Sequence, residues 1–255
     1  MDWSATFCEK SALFWPIAPA ARTLAGFDRW PDAEELTRAL AAAPVRFELA
    51  APRPRRGRAS APTSGYDARI TEERTVPTRA RSWHDLLNAL VWATFPCAKT
   101  ALHARQHRLI AQRAGDDGRV PSARSPEQDA VAMLDEGGLI LLCTPAKRVE
   151  IEGALAGTGE ASHEVVRRAV EGGVACPVLF GHALYEGLAC SWGGVVRAAG
   201  YVVETNELSE DTAARVAVAD RALSLLLERA APITHADLQA VVLGEHLVPS
   251  PLRSP

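Results

Sequence analysis

Two short, almost purely apolar runs most constrain what this chain can fold into: Leu139–Cys143, preceded by Gly137-Gly138, and Val174–Phe180, flanked by Gly173 and Gly181. Runs of that length without polar alternation read as strands buried on both faces, so each needs helices to cover it. A third strand is expected at Val195–Thr205 and a short one at Val45–Leu49. Helical patterns lie between and around them. One follows Pro31-Asp32 to about Ala43, with Leu36 and Leu40 one turn apart. Ser82-x-x-Asp85 predicts a reciprocal capping box opening a helix with Leu86, Leu87, Leu90 and Val91 as its apolar stripe. Pro96 to Ala114 is the next, and Ser125-Pro126-x-Gln128 opens another that Gly137-Gly138 ends. Further helices are expected at Pro145–Leu155, Ser162–Val170, Gly181–Leu188 and Glu210–Arg229, and from Thr234-x-x-Asp237 to Val242; Tyr66–Val76 reads as a strand or extended arm. Strict strand–helix alternation is absent. The fold class is therefore α+β: a helix-rich single domain over residues 1–255, with helices packed on a small mixed β-sheet.

Two segments lie outside that pattern. Residues 1–31, rich in Trp, Phe and Pro, read as an irregular aromatic arm laid on the body. Residues 51–65, rich in Pro, Arg and Ser, read as a flexible exposed loop. Its Arg53, Arg55, Arg56 and Arg58 are a solvated cluster without interleaved aromatics, so nucleic acid is not the expected partner. The net charge of −3 hides an asymmetry: residues 1–125 hold 19 basic and 13 acidic groups, residues 126–255 hold 9 and 18. Arg79–Lys99 is expected to dock against Asp129–Glu136 and the His182–Glu186 turn. Five scattered cysteines without a CxxC pair exclude a zinc ribbon and a thioredoxin motif and favour a reducing cytoplasm. Glu9 and Lys10 interrupt any secretory signal, and no apolar run reaches the roughly 20 residues of a membrane span.

Four polar groups carry the chemical interest. His84 and Asn88 share a helix face, with Asp85 beside them. A His-Asp doublet suits a metal phosphohydrolase, but no histidine precedes His84 to complete that site. Lys99, His103 and His107 form a stripe that reads, with Arg105 and Arg108, as a solvated basic face, while Lys99 reaches back to a carboxylate or phosphate. Asp135-Glu136 sits at a helix C-terminus, against the dipole, and so calls for a partner. Arg79, Arg81 and Arg124 are the candidates, through an Arg–carboxylate fork. His182 and Glu186 follow a strand and a glycine directly, spaced as two metal ligands or an acid–base pair.

Arg79–Lys99 (RARSWHDLLNALVWATFPCAK), Asp129–Gly137 (DAVAMLDEG) and Phe180–Leu188 (FGHALYEGL) resemble, in this order, an uncharacterised bacterial family, domain of unknown function 3025, over roughly residues 65–250. The resemblance implies no activity. It implies that His84, Asp85, Asn88, Lys99, Asp135, Glu136, His182 and Glu186 belong to a shared pattern. The chain departs from it at His103, where Asn is expected, and at Cys97, where Arg is expected.

Two functional readings stand side by side. In the first, the chain is a metal-dependent hydrolase of a small or phosphorylated substrate. His84, Asp135, His182 and Glu186 bind a divalent ion (Zn, Mn or Fe). His84, Asp85, Glu136, His182 and Glu186 carry the catalysis, and Arg79, Asn88, Lys99 and Arg124 bind the ligand. In the second, it is a non-catalytic binding or scaffold protein whose His/Asp/Glu network is structural. Metal-free acid–base chemistry by a His84-Asp85 dyad is a third expectation. Nucleotide-dependent and serine-hydrolase classes are disfavoured, since Walker A, GxGxxG and nucleophile-elbow motifs are absent from the sequence.

Overall fold

The computed structural model describes residues 2–51, 65–115, 120–121, 123–157, 159–190, 196–206, 208–244 and 247–249. The loop expected at 51–65 lies almost wholly outside the described residues, Arg53, Arg55, Arg56 and Arg58 included. Among the described residues the chain forms α1 (Ala18–Arg22), α2 (Ala33–Ala39), β1 (Arg46–Leu49), α3 (Tyr66–Glu73), β2 (Thr75–Thr78), α4 (Trp83–Thr94), α5 (Pro96–Arg113) and α6 (Pro126–Gly137). It continues through β3 (Gly138–Cys143), α7 (Arg148–Ala156), α8 (Glu160–Glu171), β4 (Ala175–Leu179), α9 (His182–Ala189), β5 (Arg197–Glu204), α10 (Thr212–Glu228) and β6 (Gln239–Val242). It is a helix-rich α+β domain.

The apolar runs form one edge strand, β4, and the inner strand beside it, β3, of a four-stranded sheet of order β4-β3-β5-β6. β3 pairs antiparallel with β4 and parallel with β5, while β5 pairs antiparallel with β6. Every residue of β3 and β4 is buried, as strands covered on both faces must be. A separate parallel pair joins β1 to β2. The core is one connected cluster reaching from Phe7 to Val248. Its central helix is α4, in which Trp83, Leu86 to Trp92 and the intervening Asn88 are all buried. A helix buried on nearly every side has to be a core element.

The N-terminal segment packs its aromatics on the two helices that carry the histidines. The Trp3 and Trp30 rings lie 6.0 and 5.0 Å from Trp83, and Phe14 lies 5.5 Å from Tyr185. Trp83 immediately precedes His84, so these contacts hold the first turn of α4.

Several elements depart from the sequence expectation. Tyr66–Val76 is not one extended segment. Tyr66–Glu73 is helical because Ala68 and Ile70 are buried and α3 packs on α5. Arg74, in the left-handed region at φ 54°, ends it before β2. The Thr234-Asp237 capping box closes, but around a single turn, His235–Asp237. The following residues pair with β5, with Ala240 opposite Ala199, and sheet pairing wins over helix extension. The box at Ser82 forms only by half. Ser82 Oγ accepts from the Asp85 amide at 3.3 Å, while the Asp85 carboxylate turns to Arg79. Among the described residues no helix is long and apolar enough to cross a membrane.

Candidate metal centre

The β3–β4 pairing builds the site. Its register sets Leu139, at the start of β3, opposite Leu179, at the end of β4. α6 runs directly into β3 and β4 runs directly into α9, so the last turn of α6 meets the first turn of α9. Gly181 makes that meeting close. A Cβ there would fall 2.5 Å from the Glu136 carbonyl oxygen and 2.5 Å from the Gly138 nitrogen. No side chain fits without separating the two turns. The Phe180 and Gly181 amides both donate to the Gly138 carbonyl at 2.9 Å. α4 packs on α9 and brings in His84.

Three helices thus contribute imidazoles and carboxylates to one cleft. His182 Nδ1–H donates to the Asp135 main-chain carbonyl at 2.8 Å, and His84 Nδ1–H donates to Glu186 Oε2 at 2.9 Å. Both acceptors can only accept, so each partner assigns its ring the Nδ1–H tautomer. The Nε2 atoms then face one another at 3.0 Å, and Glu136 Oε2 lies 3.3 Å from His182 Nε2. Burial drives the His182 pKa down to about 3, with the Lys99 and His84 charges adding to the effect and Asp135 opposing it. Its ring is neutral at pH 7 and its Nε2 carries a lone pair. Among the described residues, His84, Glu136 and His182 form the one group whose three ligand atoms all lie within 4.8 Å. Acceptors pressed together in this way need a proton or a cation between them.

The adjacent carboxylates of α6 have opposite environments. Burial alone would raise the Asp135 carboxyl, but the fully buried Lys99 ammonium hydrogen-bonded to it outweighs that and holds it well below the usual carboxylate range. Lys99 also sits 5.5 Å over the Trp92 ring. Glu136, half-exposed on the cleft, is raised by partial burial and by the Asp135 charge. Environments that push neighbouring carboxylates apart separate a structural group from a reactive one.

Placed residue by residue, His84, Asp135, Glu136, His182 and Glu186 come together. Asp135 and Glu186 stand behind the imidazoles, on their Nδ1 sides, and Glu136 stands beside the facing Nε2 atoms. Asp85 does not pair with His84: Arg79 takes it in a fork at 2.9 and 2.8 Å, and the Arg79 amide adds a third bond at 2.5 Å. The expected His84-Asp85 dyad is therefore not formed. The basic partner of Asp135 is Lys99, not Arg79, Arg81 or Arg124, and Glu136 meets His182 instead. Arg124 lies away from the cleft, 4.0 Å from Asp129 on the surface. The basic face expected of Lys99, His103 and His107 is not solvated either: Lys99 is 0% and His103 2% exposed, because α5 buries that stripe against α3 and α4. Asn88 lines the cleft and donates from Nδ2 to the Tyr66 hydroxyl at 3.2 Å.

The cleft has a volume of about 770 Å³ and is also lined by Tyr66, Arg69, Arg79 and Asp85. The sequence does not mark Tyr66 and Arg69, because Tyr66–Val76 carries no clear helical pattern; in the helix that forms, their i, i+3 spacing places them on one face. A separate apolar cavity of about 490 Å³, between the N-terminal segment, α2, α4, α5 and α10, has Asp220 as its titratable lining group. That carboxylate accepts from the Cys97 and Ala98 amides at the start of α5.

A family model described as "Protein of unknown function (DUF3025)" matches residues 56–252. The chain belongs to this family. The DUF3025 match spans α3 to β6 and so takes in every residue of the cleft from Tyr66 to Glu186, while the aromatic N-terminal segment lies outside it. No curated protein and no solved structure matches the chain.

Proposed function

We propose that this DUF3025 chain is a metal-dependent hydrolase in which His84 Nε2, His182 Nε2 and Glu136 hold one divalent ion, Zn, Mn or Fe. The observation that supports it is the convergence of three acceptor atoms from three helices, with both imidazoles committed to Nδ1–H by partners behind them. Two ligands about 2.0–2.1 Å from a tetrahedral ion stand about 3.3 Å apart. The observed 3.0 and 3.3 Å separations are close to that. Glu186 and the Asp135 carbonyl act as orienting partners that fix tautomer and ring direction. An ion held by these residues would supply an activated water and polarise the scissile bond of a small or phosphorylated substrate. Lys99 is spent on Asp135 and stabilises no developing charge in the cleft. All five cysteines are free thiols, and burial lifts Cys8 to about 12 and Cys176 to about 11. Such inert thiols support a reducing, cytoplasmic setting.

The second reading, a structural network with a proton shared between His84 and His182, draws on the buried Lys99–Asp135 pair, which has no direct part in the chemistry. Elemental analysis of purified protein separates the two, followed by assay of p-nitrophenyl phosphate, bis-p-nitrophenyl phosphate and p-nitrophenyl acetate with and without chelator. The hydrolase reading expects one transition metal per chain and chelator-sensitive turnover that Glu136→Gln removes. A protein that neither contains nor takes up metal overturns it.

A further inference from the structure

We propose that the same cleft holds an oxyanion of its substrate, a carboxylate or a phosphate, on the free edges of Arg79 and Arg69. The assignment of that molecule as substrate rests on the hydrolase reading; the anion site itself does not. Arg79 gives Nε and Nη2 to Asp85, and its main-chain amide binds the same carboxylate. Arg69 gives Nη2 to Glu48 at 2.9 Å and Nε to Glu73 at 3.3 Å. Both residues line the cleft that contains His84, Glu136 and His182. Among the described residues, neither Nη1 has a partner. A guanidinium has five N–H donors, and one edge of each is used while the other remains for a ligand.

The carboxylates behind these arginines do two things. They fix each planar group before a ligand arrives, so little side-chain entropy is lost on binding. They also balance its charge, so the cleft selects for bidentate geometry more than for net charge. A third observation points to a ligand in the same place. Asn88 is 6% exposed and its amide Oδ1 has no hydrogen-bond partner. A buried acceptor left unpaired forfeits its bonds to water without replacement. A hydroxyl or N–H of the ligand next to its anionic group would satisfy it. The recognised molecule is therefore a small anion with a neighbouring hydrogen-bond donor, its reactive bond directed to the His84–Glu136–His182 end.

The test is calorimetric and has two stages. Zinc is first titrated into metal-free wild type, Arg79→Gln, Arg79→Lys and Arg69→Gln. Inorganic phosphate and, separately, acetate are then titrated into each protein. Zinc is expected to bind all four alike. At least one anion should bind the wild type, tenfold or more weaker to Arg79→Gln, with Arg79→Lys in between and Arg69→Gln weakened in the same direction. Phosphate alone binding marks a phosphorylated ligand, and acetate alone marks a carboxylate. Wild type binding neither anion, or Arg79→Gln and Arg69→Gln binding as wild type does, overturns the proposal. Arg79-dependent anion binding by a protein that takes no zinc leaves the anion site standing and removes the metal reading.

Discussion

Two buried histidine clusters in this molecule use the same first move and end differently. His103 sits between α3 and α5, with Nδ1 2.8 Å from Asp67 Oδ1, the Trp92 ring stacked 5.3 Å away and Tyr66 at 5.7 Å. His182 and His84 likewise direct Nδ1 to a fixed acceptor. The far nitrogen makes the difference. Among the described residues His103 Nε2 is buried with no hydrogen-bond partner, walled by aromatics, and belongs to no group of three ligand atoms. His84 and His182 turn their far nitrogens toward each other and toward Glu136. A buried histidine with a carboxylate behind it is an ordinary feature of a core. Lone pairs arriving from separate helices at one point in an open cleft are what make a ligand site.

The largest expected effect belongs to His182 and is acid lability. In metal-free protein the unfolded chain's imidazole at position 182 binds a proton as pH falls through 6.5, while the buried ring stays neutral until about 3. The unfolded state therefore takes up the extra proton, and stability falls with pH across that window, on the order of 3–5 kcal/mol in total. Urea denaturation at a series of pH values measures it, and His182→Gln should flatten the curve between pH 6.5 and 3.

Lys99 comes next. Lys99→Ala leaves Asp135 charged and buried without its partner, and such a loss costs about 3–5 kcal/mol. The double variant Lys99→Met, Asp135→Leu removes both charges and should recover most of it. An unchanged urea midpoint in Lys99→Ala would mean the pair is not closed in solution. Glu186→Gln tests the orienting role: zinc affinity should drop about 10–100-fold with stoichiometry unchanged. The smallest effect belongs to His103→Phe. It keeps the stack on Trp92, loses one hydrogen bond and removes an unpaired nitrogen, so its stability should stay within about 1 kcal/mol of wild type.

The parts of this architecture legible in the sequence are those whose causes are local. β3 and β4 are continuous apolar runs, and the Ser125–Gln128 box closes as its spacing requires, with bonds of 3.2 and 2.8 Å. The sequence offers His84, Asp135-Glu136 and His182-Glu186 as separate groups whose convergence is only an expectation, and the structure brings them into one cleft. Their division of labour is not legible in the sequence, because it depends on contacts between distant segments. Which α6 carboxylate turns inward is decided by Lys99, 36 residues away, and His84 is oriented by Glu186, 102 residues away. The Ser82 spacing predicts Asp85 as a cap, and the Arg79 fork competes for it successfully. α3 was lost for a similar reason: its apolar positions are few, and packing on α5, rather than its own pattern, makes it a helix.

The central claim is that three atoms, His84 Nε2, His182 Nε2 and Glu136 Oε2, make one cation site and that the other buried histidine does not. Calorimetric titration of zinc into metal-free wild type, His84→Ala, His182→Ala and His103→Phe tests it most directly. The expected result is one zinc per chain in wild type and in His103→Phe at equal affinity, and at least 100-fold weaker binding in each of the other two. Equal loss in His103→Phe, or a wild type that takes up no zinc, would contradict it.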